Sequence, residues 1–206
     1  MSTPTPTPPR RPRTLTFALA LVWVVGLVGG ADGCQTIETL RHPELARAAA
    51  EHLADPRMQE LREAVLSALL AARGVVTPTA VASMLLGTAL TLAAAMVALG
   101  HARARSFLLQ ALAAYALFLP TEYVLRRPLR AMLVDALAVA APQLPASGLS
   151  PEEVDHLLRA TYGWVWRGML GGQLAILALG AYAVTRPAAR AFLDAAQAER
   201  ARAGGG

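Results

Sequence analysis

Lysine and asparagine are absent from the sequence, cysteine occurs once, and aromatic residues make up only 5% of the chain. The single cysteine, Cys34, excludes an internal disulfide, so the chain is not a small disulfide-stabilised fold. Without lysine, the net charge of +5 comes from arginine, a usage typical of GC-rich bacterial genomes. The arginines are dispersed and form no patch of the kind that follows a phosphate backbone. We therefore predict no nucleic-acid partner.

Charge is also almost missing from four long apolar stretches: 14–31, 74–102, 106–125 and 160–185. Glu122 in the third stretch and Arg167 in the fourth are their only Asp, Glu or Arg residues. The whole chain is 55% hydrophobic, with a mean hydropathy of +0.42. A helix needs about 20 mainly apolar residues to cross a hydrocarbon core about 30 Å thick. The sequence therefore predicts an all-α, multi-pass membrane protein with four transmembrane helices in the lipid bilayer.

The four predicted spans divide the chain into alternating membrane and aqueous segments. In order, these are a disordered cytoplasmic tail at 1–13, transmembrane helix 1 at 14–31, an extracytoplasmic helical segment at 32–76, transmembrane helix 2 at 77–99, a cytoplasmic turn at 100–105, transmembrane helix 3 at 106–125, an extracytoplasmic amphipathic segment at 126–161, transmembrane helix 4 at 162–185 and a cytoplasmic tail at 186–206. Because the turn is short, helices 2 and 3 are expected to be antiparallel neighbours.

The two extracytoplasmic segments carry helical periodicity. Apolar residues recur at steps of three and four from Met58 to Ala72 and again from Leu129 to Ala140, as on one face of an amphipathic helix. Each of these helices is expected to need an apolar surface, and we expect the two to pack into a small helical cap. Ser150 and Glu153 form a predicted capping box, and the helix that they begin is expected to run into the fourth span.

The first span allows three interpretations. Its basic flank and the small residues Gly29, Gly30 and Ala31 fit a cleaved secretory signal peptide. They also fit an uncleaved anchor, which we favour because three further spans follow. A lipid-anchored Cys34 is a weaker alternative, since Ala31 stands where a lipoprotein signal has a larger aliphatic residue.

Orientation is predicted from the arginines beside the spans. The three arginines within residues 10–13 place the N-terminus in the cytoplasm by the positive-inside rule, and an even number of spans then returns the C-terminus to the same side. Three arginines at 126–130 are counter-evidence, because they flank a predicted outer end. We predict a location in the bacterial cytoplasmic (inner) membrane with both termini inside.

Glu122 and Arg167 are the two residues within the predicted spans that are charged at neutral pH. They lie about 5 and 6 Å from the outer ends of helices 3 and 4, at 1.5 Å per residue. Opposite charges at matched depth make these two residues a candidate intramembrane ion pair. The alternative is that each side chain reaches the headgroups separately. Either way, their position at the membrane edge favours a structural role over a proton path.

Two GxxxG steps, Gly26–Gly30 and Gly168–Gly172, are candidate helix-packing sites, because small residues let helix backbones approach closely. Such steps also arise by chance in a chain rich in glycine and alanine. They are therefore a weak indication of a membrane-protein partner or a homo-oligomer.

The sequence contains no recognisable catalytic, cofactor-binding or metal-ligating motif. His42, His52 and His156 share the predicted outer side, but their spacing matches no metal site. We therefore predict no cofactor and a non-catalytic accessory, assembly or scaffold subunit of a bacterial membrane system. The alternatives are a small transporter or channel component, with Glu122 and Arg167 at the mouth of its pathway, and an intramembrane enzyme without a recognisable motif.

Overall fold

The computed structural model describes residues 11–52, 55–101, 103–140 and 150–203. These residues are helical almost throughout and include no strand. The helices are α1 (Arg13–Arg41), α2 (Pro43–Glu51), α3 (Pro56–Ala71), α4 (Arg73–Ala98), α5 (Ala104–Leu125), α6 (Arg127–Ala140), α7 (Pro151–Thr185) and α8 (Pro187–Ala203). Residues 1–10 of the predicted disordered tail lie outside the described residues.

Among the described residues, four helices are long and apolar enough to cross a membrane: α1, α4, α5 and the Asp155–Thr185 part of α7. The prediction of an all-α, four-span membrane protein is thus confirmed. These helices exceed or match the length needed to cross the hydrocarbon core, and each contains a long window almost free of charge. The side of the membrane on which each connection lies stays a prediction.

Two helices extend further than the apolar runs that predicted them. Helix α1 continues without a break through Ala31 to Arg41, because polar residues such as Asp32 end a hydrophobic run without ending a helix. Helix α4 begins at Arg73, so that Pro78 lies inside the helix, whereas the sequence placed this proline at the start of the span.

The capping box at the start of α7 is confirmed. The hydroxyl of Ser150 lies 3.3 Å from the backbone nitrogen of Glu153, and the Glu153 carboxylate accepts the Ser150 backbone N–H at 2.7 Å. These bonds satisfy donors that have no partner within the helix. The 35-residue helix that follows includes the whole fourth span.

The described chain divides into two compact units. The first comprises Met1–Gly29, Leu86–Leu117 and Gln173–Gly206. Its largest fully buried side chains are Tyr115, Leu15, Leu90, Leu108, Leu193, Val22, Val97 and Val184. Close contact between helices explains why glycine occupies two positions in this unit. A Cβ atom added to Gly26 would lie 2.5 Å from Thr91 Oγ1, and one added to Gly180 would lie 2.5 Å from Val22 Cγ2.

The second unit comprises Gly30–Leu85 and Phe118–Gly172. Its apolar cluster is formed by Leu40, Ala68, Val76 and Leu129, with partly buried neighbours from α3 and α6. Helix α3 packs against both α2 and α6, so the two amphipathic regions contact each other. With neighbours on two sides, α3 buries Leu66 outside the predicted stripe, while Met58 within that stripe is exposed.

Candidate functional site

A cluster of polar side chains surrounds Arg126, which links α5 and α6 in the second unit. The guanidinium Nη2 lies 2.9 Å from Glu122 Oε1, and Nε donates to Thr79 Oγ1 at 3.0 Å. Nη1 lies 3.8 Å from Asp32 Oδ2 on α1. The Arg126 and Glu122 side chains are only 17% and 16% exposed. Because opposite charges attract more strongly away from water, this cluster ties α1 and α4 to the end of α5.

The structure does not bring Glu122 and Arg167 together. Glu122 contacts Arg126, one helical turn further along the chain, while Arg167 is exposed on α7. All 14 acidic residues lie within the described residues, and none of them forms an ion pair with Arg167. In this structure the two side chains therefore do not form an ion pair. An ion pair between them within the membrane stays a prediction.

A cavity of about 680 Å³ opens beside α6 in the second unit. Four arginines and two aromatic residues line it: Arg127, Arg130, Arg159, Arg167, Tyr123 and Trp166. The sequence did not reveal this cluster, because its arginines come from separate helices and appear dispersed along the chain. We refer to it as the arginine cavity.

Arg130 lies against two aromatic rings in this cavity. Its guanidinium carbon lies 3.9 Å from the centroid of the Tyr123 ring and 5.6 Å from that of Trp166, within the range of cation–π attraction. It also donates a hydrogen bond to the Tyr123 carbonyl oxygen. Partial burial removes solvation from the cation and lowers the pKa of Arg130. The side chain stays charged, since arginine titrates far above neutral pH.

Arg159 differs from the other arginines of the cavity because it has acidic partners. Its Nη2 lies 2.6 Å from Asp135 Oδ1 on α6, and its Nε lies 2.8 Å from Asp155 Oδ2 one turn earlier on α7. All three side chains are well exposed, so each pair contributes little stability. Arg127 and Arg167 form no ion pair within the described residues. The arginine cavity therefore carries excess positive charge.

No protein-family model matches the chain, and no curated protein and no solved structure matches it either. Within the residues that the structure describes, no three His, Cys, Asp or Glu side chains are grouped so that they could hold a metal ion. The site must therefore be interpreted from its own geometry.

The predicted packing glycines lie in two kinds of environment. Gly26 faces Thr91 and the carbonyl oxygen of Gly87 in the first unit, where a Cβ atom would not fit. Gly30 is half-buried on α1. Gly168 and Gly172 are exposed on α7, and a Cβ atom added to either would meet nothing within 4 Å. No residue that the structure describes therefore requires glycine at these last two positions.

Cys34 lies on α1 as an exposed free thiol. The helix passes without interruption through the positions where a signal peptide would be cleaved, Gly29 to Ala31. The signal-peptide, anchor and lipid-attachment interpretations stay predictions, and the accessible thiol provides a reporter with which to separate them.

Proposed function

We propose that the protein is a non-catalytic accessory or assembly subunit, which binds a transmembrane helix of another membrane protein through one face of α7. The observation that carries this proposal is the open pair Gly168 and Gly172. Trp164, Val165 and Met169 flank the pair and are exposed, Trp164 to 73%. We call these five residues the glycine face.

Glycine in a helix costs roughly 1 kcal/mol relative to alanine. Gly26 offsets that cost by allowing close contact with α4. Among the described residues Gly168 and Gly172 have no such contact, and unlike the open Gly74 they form a pair four residues apart on one helix, so an incoming helix supplies the reason for their presence. Small residues four apart are the feature that lets transmembrane helices approach closely. The span of α7 is also the least buried, with 22% of its most apolar window buried against 39% for α4.

A different protein suits the glycine face better than a second copy of this chain. Arg167 is next to Gly168, so a two-fold symmetric crossing would bring two arginines to the same depth in the membrane. Like charges repel strongly where water is scarce. A partner helix without a cation at this depth avoids the repulsion.

A structural rather than catalytic role is supported by what the charged side chains do. Asp32 and Arg126 connect different helices, as do Asp135 and Arg159. Arg47 on α2 pairs with Glu63 on α3 at 3.2 Å. These charges are thus paired with side chains of neighbouring helices and are not grouped around a reaction centre.

We also propose that α1 is retained as an anchor, with both termini in the cytoplasm of a bacterial cell. Five side chains of α1 in the first unit are buried: Leu15, Ala18, Leu19, Val22 and Val25. Loss of this helix by cleavage would expose the surfaces against which they pack. The arginines that precede it favour the cytoplasmic side.

The experiment is affinity purification of the full chain from its native membrane in a mild detergent. A partner membrane protein should be recovered with the wild type and lost with Gly168→Ile and with Gly172→Ile. Gly74→Ile is the matched control, because Gly74 is also an open glycine but lies on α4; it should retain the partner. Equal recovery with all variants would contradict the proposal. A homo-oligomer alone, with solute flux in liposomes, would favour a transporter instead.

A further inference from the structure

The arginine cavity contains more positive charge than the chain neutralises. Asp135 and Asp155 both pair with Arg159. Arg127 and Arg167 line the same cavity without an acidic partner. Every acidic residue of the chain lies within the described residues, and none of them forms an ion pair with Arg127 or Arg167. An anion from outside the chain would complete the charge balance.

The donors in the cavity suit an oxyanion with several acceptor atoms. A guanidinium group presents its N–H donors in a planar fork that matches two oxygens of a phosphate or carboxylate. Arg130 is held against Tyr123 and Trp166, so less rotational freedom is lost when it binds. Because Arg127 and Arg167 come from different helices, their forks approach the cavity from different directions. A phosphate can accept hydrogen bonds from several directions at once.

The cavity also lies at the level expected for lipid headgroups. It is lined by the end of α5 and by the first half of α7, around Gly163. The Asp155–Thr185 part of α7 is 31 residues long, or about 46 Å at 1.5 Å per residue, which exceeds a hydrocarbon core of about 30 Å. Its first turns therefore project into the interfacial region, where Tyr and Trp are enriched. Basic pockets between transmembrane helices bind anionic headgroups.

We propose that the arginine cavity binds a phosphate group, either that of an anionic phospholipid headgroup or that of a soluble phosphate compound. Arg127, Arg130 and Arg167 donate to the phosphate oxygens. Arg159 is already paired with Asp135 and Asp155, so it is not assigned to the phosphate.

This site is separate from the glycine face. At about 100° per residue, Gly163 and Trp166 lie on the side of α7 roughly opposite Gly168 and Gly172, and Arg167 lies about 100° around the helix from Gly168. A ligand in the cavity and a helix on the glycine face therefore do not compete for the same surface. Failure of one proposal leaves the other standing.

The test compares two double variants of the full-length protein. Arg127→Gln with Arg167→Gln removes two cavity cations that are exposed and make no ion pair, so the fold should be kept. Arg41→Gln with Arg73→Gln removes the same charge from exposed positions of the same unit outside the cavity. Circular dichroism and gel filtration establish that both variants are folded.

Two probes distinguish the source of the phosphate. Lipid binding is measured by native mass spectrometry after titration with dioleoylphosphatidylglycerol, with net-neutral dioleoylphosphatidylcholine as reference. Soluble phosphate is tested as the shift in melting temperature on adding inorganic phosphate to protein in lipid-free detergent, with chloride at equal ionic strength as reference.

We expect the cavity variant to bind phosphatidylglycerol about tenfold or more weakly than the wild type. A tenfold loss of affinity corresponds to about 1.4 kcal/mol, and the loss of one hydrogen bond to a charged group is enough to cause it. The control variant should bind like the wild type. A response to inorganic phosphate with the same dependence on the variants would assign the site to a soluble ligand. The proposal is overturned if neither probe separates the two variants, or if phosphatidylcholine binds equally well. The single variant Arg130→Gln, tested in the same way, should also weaken binding.

Discussion

Replacing Arg126 with methionine removes the cation from the polar cluster that connects α1, α4 and α5. Glu122 is then left with its carboxylate largely shielded from water and without an ion partner. Removing one member of a fully buried pair costs about 3–5 kcal/mol. Since the Arg126 and Glu122 side chains remain 17% and 16% exposed, we expect a somewhat smaller loss, about 2–4 kcal/mol in the free energy of unfolding.

The assay is unfolding in mixed micelles by increasing the mole fraction of sodium dodecyl sulfate, followed by circular dichroism. Arg47→Met is the matched control, because it breaks an ion pair that is open to water. The Arg47 and Glu63 side chains of that pair are 51% and 52% exposed. It should cost less than about 1 kcal/mol. The double variant Glu122→Gln, Arg126→Met should recover much of the loss, since the stranded charge is then gone.

Two results would refute this reasoning. If Arg126→Met lowers the free energy of unfolding no more than Arg47→Met does, burial does not strengthen the attraction between Arg126 and Glu122. If the double variant is as unstable as Arg126→Met alone, the loss does not come from an uncompensated Glu122 carboxylate. In that case the packing of the long arginine side chain would be responsible.

Three further predictions concern other parts of the chain. Gly26→Leu should lower the free energy of unfolding by about 1–3 kcal/mol, because its side chain would overpack the contact with α4, whereas Gly74→Leu in the same micelle assay should cause no loss. The carboxyl group of Glu153 should titrate below its ordinary pKa in an NMR pH titration, because the backbone N–H and hydroxyl of the N-cap serine stabilise the carboxylate. The stability from this cap should be present above the ordinary carboxyl pKa and lost as the pH falls through the lowered one, a dependence that Glu153→Gln should abolish. In intact cells a membrane-impermeant maleimide should label Cys34 but not a cysteine placed at Arg103; labelling of both would contradict the proposed topology.

The number of spans was accessible from the sequence because crossing a bilayer requires only length and low charge, which are local properties. The residue at which a helix ends is harder to predict from the sequence. The apolar run of α1 stops at Ala31, yet the helix continues to Arg41, because hydrophobicity marks where the membrane ends and not where backbone hydrogen bonding ends.

The polar sites could be predicted from the sequence only in part. Glu122 and Arg126 are four residues apart, the spacing of neighbours on a helix surface, so this pair was detectable. The sequence analysis does not predict the pair, because it places Glu122 in transmembrane helix 3 and Arg126 in the aqueous segment that follows. The arginine cavity has no local signature. Arg130 and Arg167 come together because α6 and α7 both line the cavity, and that arrangement depends on contacts distant in sequence.

The cluster around Arg126 has a consequence for synthesis of the protein. Asp32 is made 94 residues before Arg126, an interval of roughly 5–19 s at typical rates of chain elongation. During that time the Asp32 carboxylate has no cation from this cluster, and Arg126 is the last of its members to leave the ribosome. The first helix must therefore remain in the membrane by its apolar surface alone. A chain that stops short of Arg126 carries carboxylates without their counter-ion, a chemical difference that distinguishes unfinished molecules from complete ones.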